Sequence, residues 1–114
     1  MQLTGRVVLV TGGAQRLGRA IAQSLAQRQA DVIISYRSSR QAARETVSVL
    51  RRCGVRAEAI RADVSKAADV KRLMRRIATQ FGRLDVLINN AAVFVRTPFA
   101  TLTERAWDLH LDTN

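Results

Sequence analysis

The stretch best suited to chemistry is Thr11-Gly12-Gly13-Ala14-Gln15-Arg16-Leu17-Gly18. It follows Val7-Val8-Leu9-Val10, four apolar and mostly β-branched residues that read as a buried strand, and its glycines and small residues read as a tight turn opening a helix. The start of a helix leaves backbone N–H groups without partners and carries the positive end of the helix dipole. Glycine removes the side chain that would keep an anion away, so such a turn can hold a phosphate. An ordinary strand-to-helix turn that binds nothing has the same composition. Two other stretches could join it: Tyr36-Arg37-Ser38-Ser39, whose guanidinium and hydroxyls can donate to an anion, and Asn89-Asn90-Ala91-Ala92, a small polar turn. Cys53 and His110 are the only cysteine and histidine, so an internal disulfide and a cysteine-based metal site are excluded and no metal is expected.

The elements that must position these turns alternate. Leu17, Ala20, Ile21, Ser24 and Leu25 recur at helical spacing, which predicts a helix over residues 16–29 with that side facing a sheet. Asp31-Val32-Ile33-Ile34-Ser35-Tyr36 reads as a second buried strand. A second helix, over 39–53, carries the stripe Ala43, Val47 and Leu50 and stops at Gly54, while 56–61 alternates polar and apolar residues like a strand near a sheet edge. After Asp63-Val64-Ser65 comes the clearest amphipathic pattern, Val70, Leu73, Met74, Ile77, Ala78 and Phe81, ended by Gly82. Asp85-Val86-Leu87-Ile88 is the fourth strand. A loop with Pro98 then leads to a last helix begun by Thr101 or Thr103, with Glu104 able to cap back, Trp107 in its core face and His110 on its surface or facing a partner.

Strands alternating with helices give an α/β fold, a doubly wound parallel sheet of Rossmann type with right-handed crossovers and strand order 3-2-1-4. Ligands of such sheets lie beyond the carboxyl ends of the strands where the order reverses, here between strands one and four. The glycine turn and the Asn89-Asn90 turn both end strands there. The 114 residues suit a single domain with one core. No apolar run approaches a membrane span, and no signal-peptide apolar region precedes the first strand, so a cytoplasmic protein is expected. The formal charge of +10 favours acidic partners such as nucleic acid, anionic surfaces or phosphorylated ligands. Its arginines and lysines sit on helical faces, Arg40, Arg44, Arg51 and Arg52 on one and Lys71, Arg72, Arg75 and Arg76 on another, with few aromatics between them. Solvated helix faces are therefore expected ahead of a nucleic-acid track.

The glycine turn does not match the general G-x-G-x-x-G fingerprint. It matches Thr-Gly-x-x-x-(Gly or Arg)-x-Gly, and with Asp63-Val64 after strand three, Asn89-Asn90-Ala91 after strand four and Asn114 in the fourth helix, the whole chain resembles the short-chain dehydrogenase/reductase family. The resemblance makes residues 1–114 the N-terminal dinucleotide-binding half of a Rossmann-type domain, ending before strand five. It implies a cofactor site of Gly12, Gln15, Arg16, Leu17, Gly18, Tyr36, Arg37, Ser38, Ser39, Asp63, Val64, Asn90, Ala91 and Ala92. A form of the cofactor without the 2′-phosphate is usually met by Asp or Glu at the end of strand two; Arg37 with Ser38 and Ser39 suits the phosphate instead, so NADP(H) is expected. A solvent-facing Arg37 is the alternative.

Arg16 in place of the middle glycine resembles the pteridine reductase branch, where this arginine reaches the cofactor phosphates and the substrate side. Phe94 matches the aromatic that stacks on a pterin there, although Ala92 replaces that branch's usual serine and Phe94 could also be a loop anchor. Arg-type turns also occur in other reductases of the family, so a general carbonyl or 3-oxoacyl reductase is the alternative. The reaction implied is NADPH-dependent reduction of a C=O or C=N group of a small-molecule substrate in a homo-oligomer, commonly a tetramer. Of the family's catalytic residues only Asn114 can be assigned, since the sole tyrosine, Tyr36, begins no Tyr-x-x-x-Lys motif. The 114-residue chain alone is therefore expected to be inactive, and with strand four as an open edge, poorly stable or aggregating. A non-catalytic NADP-binding or regulatory module and a basic nucleic-acid-binding protein are the competing readings.

Overall fold

Val7–Thr11 forms β1, and all five of its residues are buried. A strand covered on both faces belongs inside a sheet, and β1 pairs in parallel with β2 (Asp31–Tyr36) on one side and β4 (Val86–Asn89) on the other. β3 (Ala57–Arg61) joins the outer side of β2, again in parallel, so the order is β3-β2-β1-β4, as the alternation of elements implied. The structure, a computed structural model, describes residues 2–90. The loop with Pro98 and the expected last helix, including Trp107 and His110, lie outside the described residues.

Side chains alternate across each strand, and this divides the core into two layers. Val8, Val10, Val32 and Ile34 face α1 (Arg16–Gln27) and α2 (Arg40–Arg51), whereas Val7, Leu9, Ile33 and Ile60 face α3 (Ala67–Phe81). Leu9, Ile33 and Ile34 are completely buried, and removing each from water stabilises the fold by about 1.5–3 kcal/mol. The register sets Thr11 beside both Ser35 and Asn89, so three strands finish at one level.

The helices differ from the pattern expected of their sequences. α1 buries Gly18, Ala22 and Ala26, spaced four apart; Ile21, Ser24 and Leu25 are only partly covered, and Leu17 and Ala20 are exposed. The cause is the first turn, where Gly18 is pressed against the Gly12 carbonyl and rotates its own stripe of small residues toward the sheet. α1 also stops at Gln27 rather than at residue 29. Gln29 adopts φ +72, and the Gln29 and Ala30 N–H groups return to Ala26 and Leu25, a left-handed helix end built without glycine.

α2 buries Ala43, Val47 and Leu50 as expected, and Thr46 with them, and the chain turns at Gly54 with φ +87. It is shorter than the expected 39–53, with Ser39 at its N-cap and Arg52 at its C-cap. α3 buries Val70, Leu73 and Ile77 and ends at Gly82 with φ +78, while Ala78, expected in the apolar stripe, is exposed. β3 and β4 are the outer strands among the described residues, and Val86 is exposed on β4.

The corrected face of α1 has a measurable consequence. Ala22→Leu, which forces three extra carbons between helix and sheet, is expected to cost about 1–3 kcal/mol, and Leu17→Ala to change stability by less than about 0.5 kcal/mol. Urea unfolding midpoints of the two variants test this. The opposite ranking would restore the Leu17 stripe as the buried one.

Candidate functional site

The carboxyl end of β1 is built from close approaches. Thr11 is buried; its hydroxyl donates to the Asn89 side-chain oxygen at 2.9 Å and accepts from the Asn90 backbone N–H at 2.9 Å. The Asn90 side-chain amide donates to the Gly12 carbonyl at 3.1 Å. An added Cβ at Gly18 would lie 2.0 Å from that same carbonyl oxygen, and one at Gly13 would lie 2.6 Å from a methyl carbon of Ile34. Both glycines are therefore required by contact, and Gly12 by its φ of +67. The Gly12 and Gly13 N–H groups are spent on the Ser35 carbonyl at 3.0 and 3.3 Å, which ties the turn to β2.

Past this anchored part the N–H groups are open. Those of Arg16, Leu17 and Gly18 have no hydrogen-bond partner among the described residues, and they sit at the positive end of α1. Arg16 and Leu17 line a crevice of about 290 Å³ together with Gly12, Ala14, Gln15, Tyr36, Arg37, Ser38, Ser39 and Asn90. No carboxylate is among these lining residues. Arg16 is held at φ +53, a left-handed conformation that side chains other than glycine seldom adopt. The Arg37 guanidinium is largely exposed and lies 3.9 Å from Asp63, which leaves it available to an anion.

A larger groove of about 630 Å³ lies on the other side of Tyr36, between α2 and β3, with Arg40, Arg44 and Arg51 on its walls. Lys71, Arg72, Arg75 and Arg76 are exposed on α3, across the sheet. The two basic helices thus do not form one continuous surface. Among the described residues no group of three or more His, Cys, Asp or Glu could hold a metal, and no helix is long and apolar enough to cross a membrane.

A strand, a glycine turn with open amides and an arginine at the end of the next strand form one constellation, and a family model described as short chain dehydrogenase matches residues 6–114. The chain belongs to the short-chain dehydrogenase family. A hydroxynaphthalene reductase-like protein of Metarhizium robertsii is 38% identical over 112 residues, 98% of this chain and 42% of that protein. A 3-oxoacyl-acyl-carrier-protein reductase of Staphylococcus epidermidis is 37% identical over 93% of this chain and 43% of its own length. The chain thus spans less than half the length of these relatives. A short-chain dehydrogenase of Burkholderia cenocepacia, solved in complex with NADP, superimposes with a TM-score of 0.78 at 39% identity, over 98% of this chain and 43% of that one.

Of the residues that the family resemblance put at the site, Gly12, Gln15, Arg16, Leu17, Tyr36, Arg37, Ser38, Ser39 and Asn90 meet around one crevice. Gly18 lies behind it as a spacer, and Asp63 and Val64 stand beside it at the end of β3 without lining it. Ala91, Ala92, Phe94 and Asn114 lie outside the described residues. Ala14 was missed, although a small residue inside the glycine turn was the available signal. The hold of Thr46 on Ala14, through a hydroxyl 2.8 Å from its carbonyl, had no sequence signal at all.

Asp63 is tuned by its neighbours. The Ser65 hydroxyl and then the Ser65 backbone N–H donate to its carboxylate, at 2.6 and 3.0 Å, and with the charges of Arg37 and Lys66 they hold it below the usual 3.8 against a smaller opposing effect of burial. A carboxyl lowered in the folded state contributes stability above its unfolded value, and that contribution is lost as pH falls through the folded one. Asp63→Asn is therefore expected to be less stable than the parent at pH 7, with the gap closing below about pH 4. Melting temperatures of the pair across that range check it; a gap independent of pH would contradict the assignment.

Proposed function

We propose that this chain is the cofactor-binding half of an NADPH-dependent oxidoreductase that reduces a C=O or C=N group of a small molecule. The observation that carries the reading is the polarity of the crevice: open N–H groups at Arg16 and Leu17, with that of Gly18 next in the helix, arginines at 16 and 37, and no carboxylate among the lining residues. A dinucleotide diphosphate fits the amides, since Gly12 offers no side chain to exclude it. NADPH, when bound, supplies the hydride. In this reading Gln15 and the backbone of residues 16–18 hold the diphosphate, Tyr36 and Asp63 with Val64 flank the adenosine, and Arg37, Ser38 and Ser39 meet the 2′-phosphate. Asn90, Ala91 and Ala92 carry the cofactor onward, and Asn114 holds a water of the proton relay.

The fold does not choose the cofactor. A neighbour with a TM-score of 0.76 and 29% identity is an NAD⁺-bound xylitol dehydrogenase, whereas the Burkholderia neighbour was solved with NADP. The choice is left to the end of β2, where Arg37 can meet a phosphate through charge-assisted hydrogen bonds and an acidic residue would repel it.

A pterin is the substrate proposed. Arg16 supports it, because an arginine at φ +53 stands where the family pattern usually has glycine. Strained backbone positions cluster at functional sites, and in this reading the Arg16 side chain would reach both phosphates and substrate. Phe94 would stack on the flat ring. A cytoplasmic homo-oligomer completes the proposal.

Cofactor titration of the intact protein tests the assignment. Arg37→Asp is expected to weaken NADPH at least about tenfold relative to NADH, through loss of a charged hydrogen bond and gain of repulsion. An unchanged ratio would remove the 2′-phosphate role of Arg37.

A further inference from the structure

Thr46 is a polar residue in the wrong place for an ordinary helix. It lies on the face of α2 that also carries Ala43, Val47 and Leu50, and it is completely buried. A hydroxyl there is costly unless it is bonded, and it is: it donates to the Ala14 carbonyl at 2.8 Å, across 32 residues of sequence. Ala14 lines the crevice, one residue before the helix cap at Gln15.

The rest of the turn shows why that bond matters. Its first part is fixed from β2 through the Gly12 and Gly13 N–H groups on Ser35, and from the β4 turn through Asn90 on Gly12. Its last part has little of its own. Gln15 makes no side-chain capping bond, Arg16 sits at φ +53, and the remaining side-chain hold among the described residues is an exposed contact of 3.4 Å from Ser39 to Gln15. Between the fixed part and the open N–H groups of Arg16, Leu17 and Gly18 stands the Ala14 carbonyl, held by Thr46.

We propose that Thr46 is a positioning residue for the phosphate turn: from α2 its buried hydroxyl fixes Ala14 and thereby the direction in which the amides of Arg16, Leu17 and Gly18 point. The inference rests on the proposed dinucleotide site and adds to it a residue that touches no ligand. Because the diphosphate is common to both nicotinamide dinucleotides, Thr46 acts on NADPH and NADH alike, unlike Arg37.

Fluorescence titration of NADPH and NADH against the intact protein, its Thr46→Val, Thr46→Ala and Thr46→Ser variants, tests this. Val and Ala are expected to weaken both cofactors about fivefold or more, with their ratio unchanged. Ser, which restores the hydroxyl, should bind within about twofold of the parent. Folded Val or Ala variants with parental affinity would overturn the proposal, as would weakening of NADPH alone. If Val and Ala fail to fold while Ser folds and binds normally, the hydroxyl serves the core in general and the proposal is also overturned. Absence of dinucleotide binding by the parent would instead refute the proposed function, so the two failures are distinguishable.

Discussion

The carbonyl oxygen of Gly12 is where the site is assembled. It accepts from the Asn90 side chain, and it lies so near Gly18 that a single added carbon there would fall at 2.0 Å. Thr11, one residue earlier, reaches the same β4 turn through both Asn89 and Asn90. Two loops from strands more than seventy residues apart are thus interlocked by hydrogen bonds. That closeness brings the start of α1 down onto the end of the sheet, sets the rotation of the helix, and leaves its first N–H groups facing a crevice instead of a loop of their own chain.

The electrostatics follow from that placement. Amides already bonded to Ser35 cannot serve a ligand, and those of residues 16–18 can. Arg16 and Arg37 both line the opening, and Asp63 is bonded by Ser65 and only loosely paired with Arg37. The net result is a crevice with open amides at the helix start, two arginines among its lining residues and no carboxylate. The basic residues of α2 and α3 stand on opposite faces of the sheet and so do not add to one continuous surface.

Much of this was legible in the sequence because it depends on local pattern. Continuous apolar runs marked β1 and β2, glycines at 54 and 82 marked the turns after α2 and α3, and the alternation of elements implied the strand order. What escaped depends on contacts across the fold. Leu17 looks like a core residue by spacing, yet a tertiary contact at Gly18 turns it outward to the crevice rim. Gln29 ends α1 in a conformation usually signalled by glycine, and Thr46 reads as an interruption in an apolar stripe until Ala14 is seen beneath it. Arg16 was visible as a departure from the glycine pattern, but the strain it carries is a property of the backbone.

In the proposed function, main-chain amides at the start of α1 grip a dinucleotide's diphosphate. A crystal structure of the intact protein with NADPH tests it most directly. Diphosphate oxygens are expected within about 2.7–3.2 Å of backbone nitrogens among residues 16–18, with the 2′-phosphate against Arg37. A crevice packed with side chains, or a diphosphate bound elsewhere, would contradict it.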